Sequence, residues 1–319
     1  MVKNGLSDQQ PTTLRPGSRW RKRLVLGVSI LFATVLTGAV LAQIILHFFA
    51  RRGAASPIHL MRVWDAKLGM SHPKPSLLLR FSGMSGDAPE TIIRTNSWGF
   101  RGDEFSPRKT AGIYRVLCFG DSFLFGAGVN NEDTLPHRLV GLWSVRGRRV
   151  EAYNFGVAGN NAFESTKLAR KICPMIESDA VLFYFNETDL WGISAETSPF
   201  IKRLSDASSF FSILSGHLPF LKGEIEQVLS QELQVFRREY RGRPVVAVCG
   251  DVDPLLLRVL SARDIPVVDV TAIHTDRRYH ISRRDGHLNA AGYAAVAAMV
   301  AKRWPELPPQ PIGAVQSRP

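Results

Sequence analysis

The sequence predicts an α/β protein, an open α/β/α sandwich tethered by one N-terminal transmembrane helix. Three observations carry this expectation. Five short apolar runs, "YRVLCF" (114–119), "RVEAYNF" (149–155), "AVLFYF" (180–185), "PVVAVC" (244–249) and "IPVVDV" (265–270), are continuous rather than alternating, as in strands buried on both faces of a parallel sheet. Longer segments with helical spacing separate them, around 134–145, 161–172, 222–240 and 254–262, with a last one over 289–304. Ahead of all this, Leu24 to Ala50 contains no Asp, Glu, Lys or Arg. About 20 apolar residues suffice to cross the hydrocarbon core, so 27 span it with margin.

Taken in order, residues 1–23 form a basic tail, with Lys3, Arg15, Arg19, Arg21, Lys22 and Arg23 against Asp8 alone. The anchor follows over 24–50. A cleaved signal peptide is the rival reading, with "VLA" (40–42) as its cleavage site, but the apolar run continues into "IILHFF" and exceeds a usual h-region. Six basic residues precede the span, which predicts a cytoplasmic N-terminus and an extracytoplasmic remainder, on the periplasmic face of a bacterial inner membrane. Residues 51–111 carry Pro57, Pro73, Pro75, Pro89 and Pro107 with little periodicity and read as an extended stalk or arm. Within it, "TNSWGFRGDEF" (95–105) offers Trp98 and Phe100 for packing on the domain. The α/β domain runs over 112–305, interrupted at 190–221 by a segment that reads as a cap insertion or as core packing. The Pro-rich 306–319 reads as a disordered tail.

The chain has 319 residues, 45% apolar and 21% charged, which is ordinary for a globular core. Its formal charge of +12 includes one dense patch, "RRYHISRR" (277–284). No RNA-binding or zinc-finger pattern accompanies that charge, so lipid headgroups or an acidic substrate fit it better than nucleic acid. Cys118, Cys173 and Cys249 show neither CxxC nor metal spacing and read as structural. No cofactor or metal is expected.

Ligands of such sheets bind beyond the C-terminal strand ends. That rim collects four polar segments. "FGDSF" puts Ser122 after Gly120 and Asp121, at a helix start where free N–H groups point outward, although Asp and Ser are also natural N-caps. "NFGVAGNN" brings Gly156 and Gly159, "FYFNETD" brings Asn186, and "RRDGHLN" brings Asp285 and His287. A serine nucleophile needs a base, a group to orient the base, and donors for the oxyanion. His287 is the candidate base, with His274 and His280 as rivals. A phosphate-cradling reading of "GDSFLFGAG" lacks the Lys-Ser/Thr ending and the G-x-G-x-x-G order.

Together, "FGDSF", "NFGVAGN", "FYFNETD" and "DGHLN" resemble the four blocks of the SGNH hydrolases, or GDSL esterase/lipase family, over roughly 112–304. The arm "TNSWGFRG" also looks like the segment before the first block in anchored bacterial members. The resemblance implies a flavodoxin-like three-layer α/β/α sandwich with a five-stranded parallel sheet and a serine-ester mechanism. It implies Ser122 as nucleophile, His287 as base and Asp285 as orienting acid, with oxyanion donors from the N–H groups of Ser122 and Gly159 and the side chain of Asn186. Two departures stand out. Glu187 follows Asn186 where the family usually has Asp, and the Asp-x-x-His spacing is here Asp-x-His. The shorter spacing occurs in SGNH-like carbohydrate O-acetyltransferases and leaves Asp285, Asp269 and Asp276 as candidates to orient His287.

The expected function is therefore a membrane-anchored serine esterase acting on O-acyl, above all O-acetyl, groups of an envelope or exported polysaccharide. Asp121, Arg283 and Arg284 are candidate substrate contacts, and polysaccharide-export machinery is a candidate partner. The alternatives are a carbohydrate O-acyltransferase using the same residues and a non-catalytic assembly module of the same fold.

Overall fold

The structure is a computed structural model that describes residues 17–54, 62–82, 86–144, 149–193 and 219–304. The chain divides into two compact units, Met1–Phe48 and Phe49–Pro319.

The first unit is dominated by α1 (Gly17–Ala54). Its stretch Trp20–Ile44 is long and apolar enough to cross a membrane. Twenty-five residues at about 1.5 Å each exceed a hydrocarbon core of about 30 Å. Thr34 and Thr37 return their hydroxyls to the carbonyls of Ile30 and Ala33, at 2.9 and 2.8 Å, so neither needs water.

The second unit is built on a five-stranded parallel sheet in the order β6-β5-β7-β8-β9. The strands are β5 (Tyr114–Gly120), β6 (Val150–Gly156), β7 (Ala180–Asn186), β8 (Val245–Gly250) and β9 (Val267–Asp269). Counted within the sheet this is 2-1-3-4-5, the flavodoxin-like order, whose switch point lies between the first and third strands. The expected α/β/α sandwich is thus present. Pro266 has no N–H for the ladder, which helps keep β9 shorter than the apolar run 265–270.

The continuous apolar runs are explained by burial on two faces. Leu117, Phe119, Val181, Phe183 and Phe185 belong to one core. Val116, Cys118, Leu182 and Tyr184 belong to the other. The first is covered by α4 (Ala162–Ile172), α5 (Pro219–Glu239) and α6 (Pro254–Ser261). The second lies under α3 (Leu135–Ser144) and α8 (Ala290–Arg303). Helix starts follow from capping. Asn161 and Glu164 form a reciprocal capping box on α4, and Asn289 caps α8 by accepting from the Gly292 N–H.

The segment expected to be an extended arm folds into two hairpins. β1 (Arg62–Asp65) pairs with β2 (Met70–Pro73), and β3 (Leu78–Phe81) pairs with β4 (Thr91–Arg94). Leu68, Met70, Phe100 and Phe105 are buried in the first core. Phe100 meets Phe155 edge-on at 4.8 Å, and Phe105 stacks on Tyr153 at 4.4 Å. The buried Arg115 stitches the arm down, bonding Glu151 at 2.7 Å and the carbonyls of Ser106, Arg108 and Glu177. Most of the candidate cap at 190–221, the tail 306–319 and residues 1–16 of the basic tail lie outside the described residues.

Candidate active site

β5 ends at Gly120, and Asp121 then caps α2 (Ser122–Phe125), whose first residue is Ser122. A four-residue helix has almost no bonds of its own, so its carbonyls must find partners elsewhere. Each does. Ser122 O accepts from the Gly126 N–H at 3.0 Å, and Phe123 O accepts from the Tyr293 hydroxyl at 2.6 Å. Leu124 O accepts from Asn154 Nδ2 at 2.9 Å, and Phe125 O from Arg101 Nη1 at 3.1 Å. Gly126 then ends the helix in the left-handed region, at φ 84°. Gly156, at the end of β6, lets this turn sit against the sheet: a Cβ there would lie 2.2 Å from the Phe125 amide nitrogen.

Ser122 Oγ lies 2.8 Å from His287 Nε2. His287 Nδ1 lies 2.5 Å from Asp285 Oδ1. With Nδ1–H donated to the carboxylate, Nε2 is left as the acceptor facing the serine hydroxyl. The one-residue spacing works because Asp285 folds back on its own loop. The oxygen that accepts the imidazole Nδ1–H also accepts the His287 backbone N–H, at 3.1 Å. Gly286 spans the gap, and Ser282 holds the Asp285 N–H at 3.1 Å.

The rivals are engaged elsewhere. Asp269 accepts from the Thr271 N–H, and Asp276 pairs with Arg278. His274 Nε2 meets the Tyr184 hydroxyl at 2.6 Å, and burial pushes its imidazole down to about 4. His280 Nε2 lies 2.7 Å from His274 O. The Phe123 ring sits between two imidazoles, 4.7 Å from His274 and 4.8 Å from His287.

Asp121, expected as a substrate contact, is buried and occupied. Its Oδ1 accepts the Phe123 N–H at 2.9 Å. Its Oδ2 accepts Asn186 Nδ2 at 2.7 Å and lies 3.3 Å from Ser122 Oγ. Burial raises its carboxyl above the usual range, partly offset by the Asn186 bond. Asn186 is also fixed through its oxygen, which accepts from Thr188 N and Oγ1 at 2.9 and 2.8 Å. One N–H of its amide is thus taken by Asp121, which orients the other. Asp189, buried behind it, accepts the Asn186 backbone N–H at 2.6 Å, and desolvation pushes its carboxyl well up.

Gly159 closes the turn after β6, with φ +83° and the Asn160 N–H bonded to Val157 O at 3.0 Å.

A cavity of about 340 Å³ opens over Ser122 and His287. Asp121, Glu187, Asp251, His280 and Arg284 line it with Ser122, Asp285 and His287. Desolvation, with Asp251 and Asp121 adding to it, raises the Glu187 carboxyl. Arg283 is exposed and is not among the lining residues. A larger groove, about 920 Å³, lies between α4 and α5 near Arg108, Glu177 and Arg243, which precede strands rather than follow them. None of the predicted site residues lines it.

Arg101, Asn154 and Tyr293 support the Ser122 turn without having been expected to. Arg101 was legible only as part of "TNSWGFRGDEF". A charged residue amid buried aromatics is the signal that could have found it, since such a residue must find several acceptors.

No family model matches the chain, and no curated protein is similar to it. Solved structures similar to it are lipolytic proteins of the G-D-S-L family and carbohydrate esterases. One is described as a putative lipolytic protein of that family from Desulfitobacterium hafniense, at 14% identity over 59% of this chain and 98% of that one, with a TM-score of 0.39. Another is a lipase/acylhydrolase from Enterococcus faecalis, at 15% identity over 59% and 94%, with a TM-score of 0.41. A third is a two-domain esterase active on acetylated mannans, at 14% identity over 60% and 48%, with a TM-score of 0.41.

Proposed function

We propose that the chain is a membrane-anchored serine esterase acting on short O-acyl esters of a hydroxyl-rich alcohol. The observation that carries this reading is the continuous relay from Ser122 Oγ to His287 Nε2 at 2.8 Å and from His287 Nδ1 to Asp285 Oδ1 at 2.5 Å. In the proposed reaction Ser122 Oγ attacks the ester carbonyl while its proton passes to His287 Nε2. The negative charge that develops on the carbonyl oxygen is met by the N–H groups of Ser122 and Gly159 and the free N–H of Asn186. Collapse breaks the ester C–O bond, the leaving alkoxide takes the proton from His287, and an acyl-Ser122 ester remains. Water, deprotonated by His287, then attacks that ester, and Ser122 recovers its proton as the acid departs.

The cavity supports this substrate class. Its volume is small, and Phe123 is the one large aliphatic or phenyl side chain among its described lining residues. Such a wall suits an acetyl group and a polyol better than a long acyl chain. An anchor over residues 24–50, with the six basic residues ahead of it inside, supports a site on the periplasmic face, where envelope or exported polysaccharide carries such esters.

A second reading keeps the same acyl-enzyme and replaces water by a sugar hydroxyl. The Asp-x-His spacing favours it, since it resembles that of carbohydrate O-acetyltransferases. Incubating the full chain with p-nitrophenyl acetate, with and without a glycan acceptor, separates the readings. Free acetate in both arms means hydrolysis, acetylated glycan in the second means transfer, and no p-nitrophenol above the His287→Ala level in either means a non-catalytic module.

A further inference from the structure

Besides Arg101, which bonds the Ser122 turn, the arm reaches the rim of the site through Arg62. Arg62, the first residue of β1, donates from Nη1 to Ala158 O at 3.2 Å and from Nη2 to Ser71 O at 2.8 Å. Its guanidinium therefore bridges the β1–β2 hairpin and the loop between β6 and α4. Ala158 O belongs to the peptide whose nitrogen is that of Gly159.

That peptide is the central one of a tight turn. The Asn160 N–H bonds Val157 O at 3.0 Å, and Gly159, third of the four residues, has φ +83°. Ala158 is not among the described non-glycine residues with positive φ, so the turn is type II rather than I′. Types I and II share their ends and differ by a flip of about 180° in the central peptide, and glycine in third place permits both. In a trans peptide C=O and N–H point in opposite directions. Whatever holds Ala158 O therefore fixes where the Gly159 N–H points.

We propose that Arg62 is a positioning residue for the oxyanion site: it locks the Ala158–Gly159 peptide in its type II orientation and so aims the Gly159 N–H at the reacting carbonyl oxygen. A cation on the carbonyl side also polarises the amide, which makes its N–H a stronger donor. The residue comes from the arm, outside the sheet that supplies the triad, so the arm is part of the working site. The inference rests on the reading of Ser122 as nucleophile and of Gly159 as an oxyanion donor.

A donor used only for the developing oxyanion changes kcat and leaves KM alone. The test compares p-nitrophenol release from p-nitrophenyl acetate by the full chain, as wild type, Arg62→Met, Arg62→Lys and Ser122→Ala, with melting curves for each. Arg62→Met keeps the apolar stem and removes every donor. Its kcat is expected to fall by about tenfold or more with KM within about twofold, less than the loss of a whole oxyanion donor. Lysine keeps a cation but lacks the planar fork that grips two carbonyls, so Arg62→Lys is expected to fall between. A folded Arg62→Met variant with wild-type kcat overturns the proposal, as does a rise in KM with kcat unchanged. Where Arg62→Met does not fold, Arg62→Lys decides: lowered kcat at constant KM supports the assignment, and unchanged kcat overturns it. Activity retained in Ser122→Ala overturns the underlying nucleophile reading itself, an outcome distinct from failure of the Arg62 variants.

Discussion

Asp285 Oδ1 binds both the imidazole Nδ1 of His287, at 2.5 Å, and that residue's own backbone N–H, at 3.1 Å. The carboxylate and the imidazole are thus held by a single three-residue turn, 285–287, and the shortened spacing costs no geometry. Removing the charge while keeping the shape should break the relay. Asp285→Asn is expected to lower kcat by about 10²- to 10⁴-fold, because the amide favours the wrong imidazole tautomer. Asp269→Asn and Asp276→Asn, whose carboxylates face Thr271 and Arg278, are expected to stay within about twofold of wild type. Ester turnover across the three variants checks this.

His274 predicts an acid limb in stability. Burial holds its imidazole at about 4 in the folded chain, whereas the unfolded chain takes up that proton near pH 6.5. Between those values the unfolded state binds more protons, so this group's contribution to stability falls as pH drops from about 6.5 toward about 4. The full effect is on the order of 3 kcal/mol. Asp121 and Asp189, raised by burial, pull the other way, so the comparison must be made against a variant. In denaturant melts from pH 7 to pH 4, His274→Gln should lose less stability than wild type over that window.

Gly156 predicts a packing penalty. A methyl group there meets the Phe125 amide nitrogen at 2.2 Å, backbone against backbone, with no flexible side chain to yield. Gly156→Ala is expected to cost about 1–3 kcal/mol in urea unfolding and to displace the helix that carries Ser122. Ester turnover should fall further than the folded fraction alone explains.

The apolar helix predicts where the chain fractionates. The full chain is expected in the membrane pellet through alkaline carbonate washing. Removing Trp20–Ile44 is expected to move it to the soluble fraction. A full chain released by the wash would contradict the anchor.

Much of this is legible in the sequence, for identifiable reasons. The strands of the sheet announced themselves because both faces are buried, which makes runs such as 180–185 continuously apolar. Ser122, Asp285 and His287 were legible because strand-end loops of a parallel sheet converge on one rim. The arm was misjudged because its prolines and glycines hide short hairpins, and four-residue strands leave no periodicity to read. Arg62 is invisible as a site residue because it acts through backbone carbonyls, which carry no sequence signature, whereas Arg101 leaves only the signal of a charge amid buried aromatics. Asp121 looked like a substrate contact from its place beside Ser122. It lines the cavity there and its carboxylate also serves the turn, because a buried carboxylate needs donors, and the Phe123 amide and Asn186 supply them.

The central claim is that Ser122 is a nucleophile activated by His287. Its most direct measurement is the rate of covalent labelling by a fluorophosphonate probe in wild type, Ser122→Ala and His287→Ala, all confirmed folded by melting. Wild type should label at one site, with the adduct on the Ser122 peptide by mass spectrometry. His287→Ala should label at least about a hundredfold more slowly, and Ser122→Ala not at all. Equal labelling of wild type and Ser122→Ala would contradict the account.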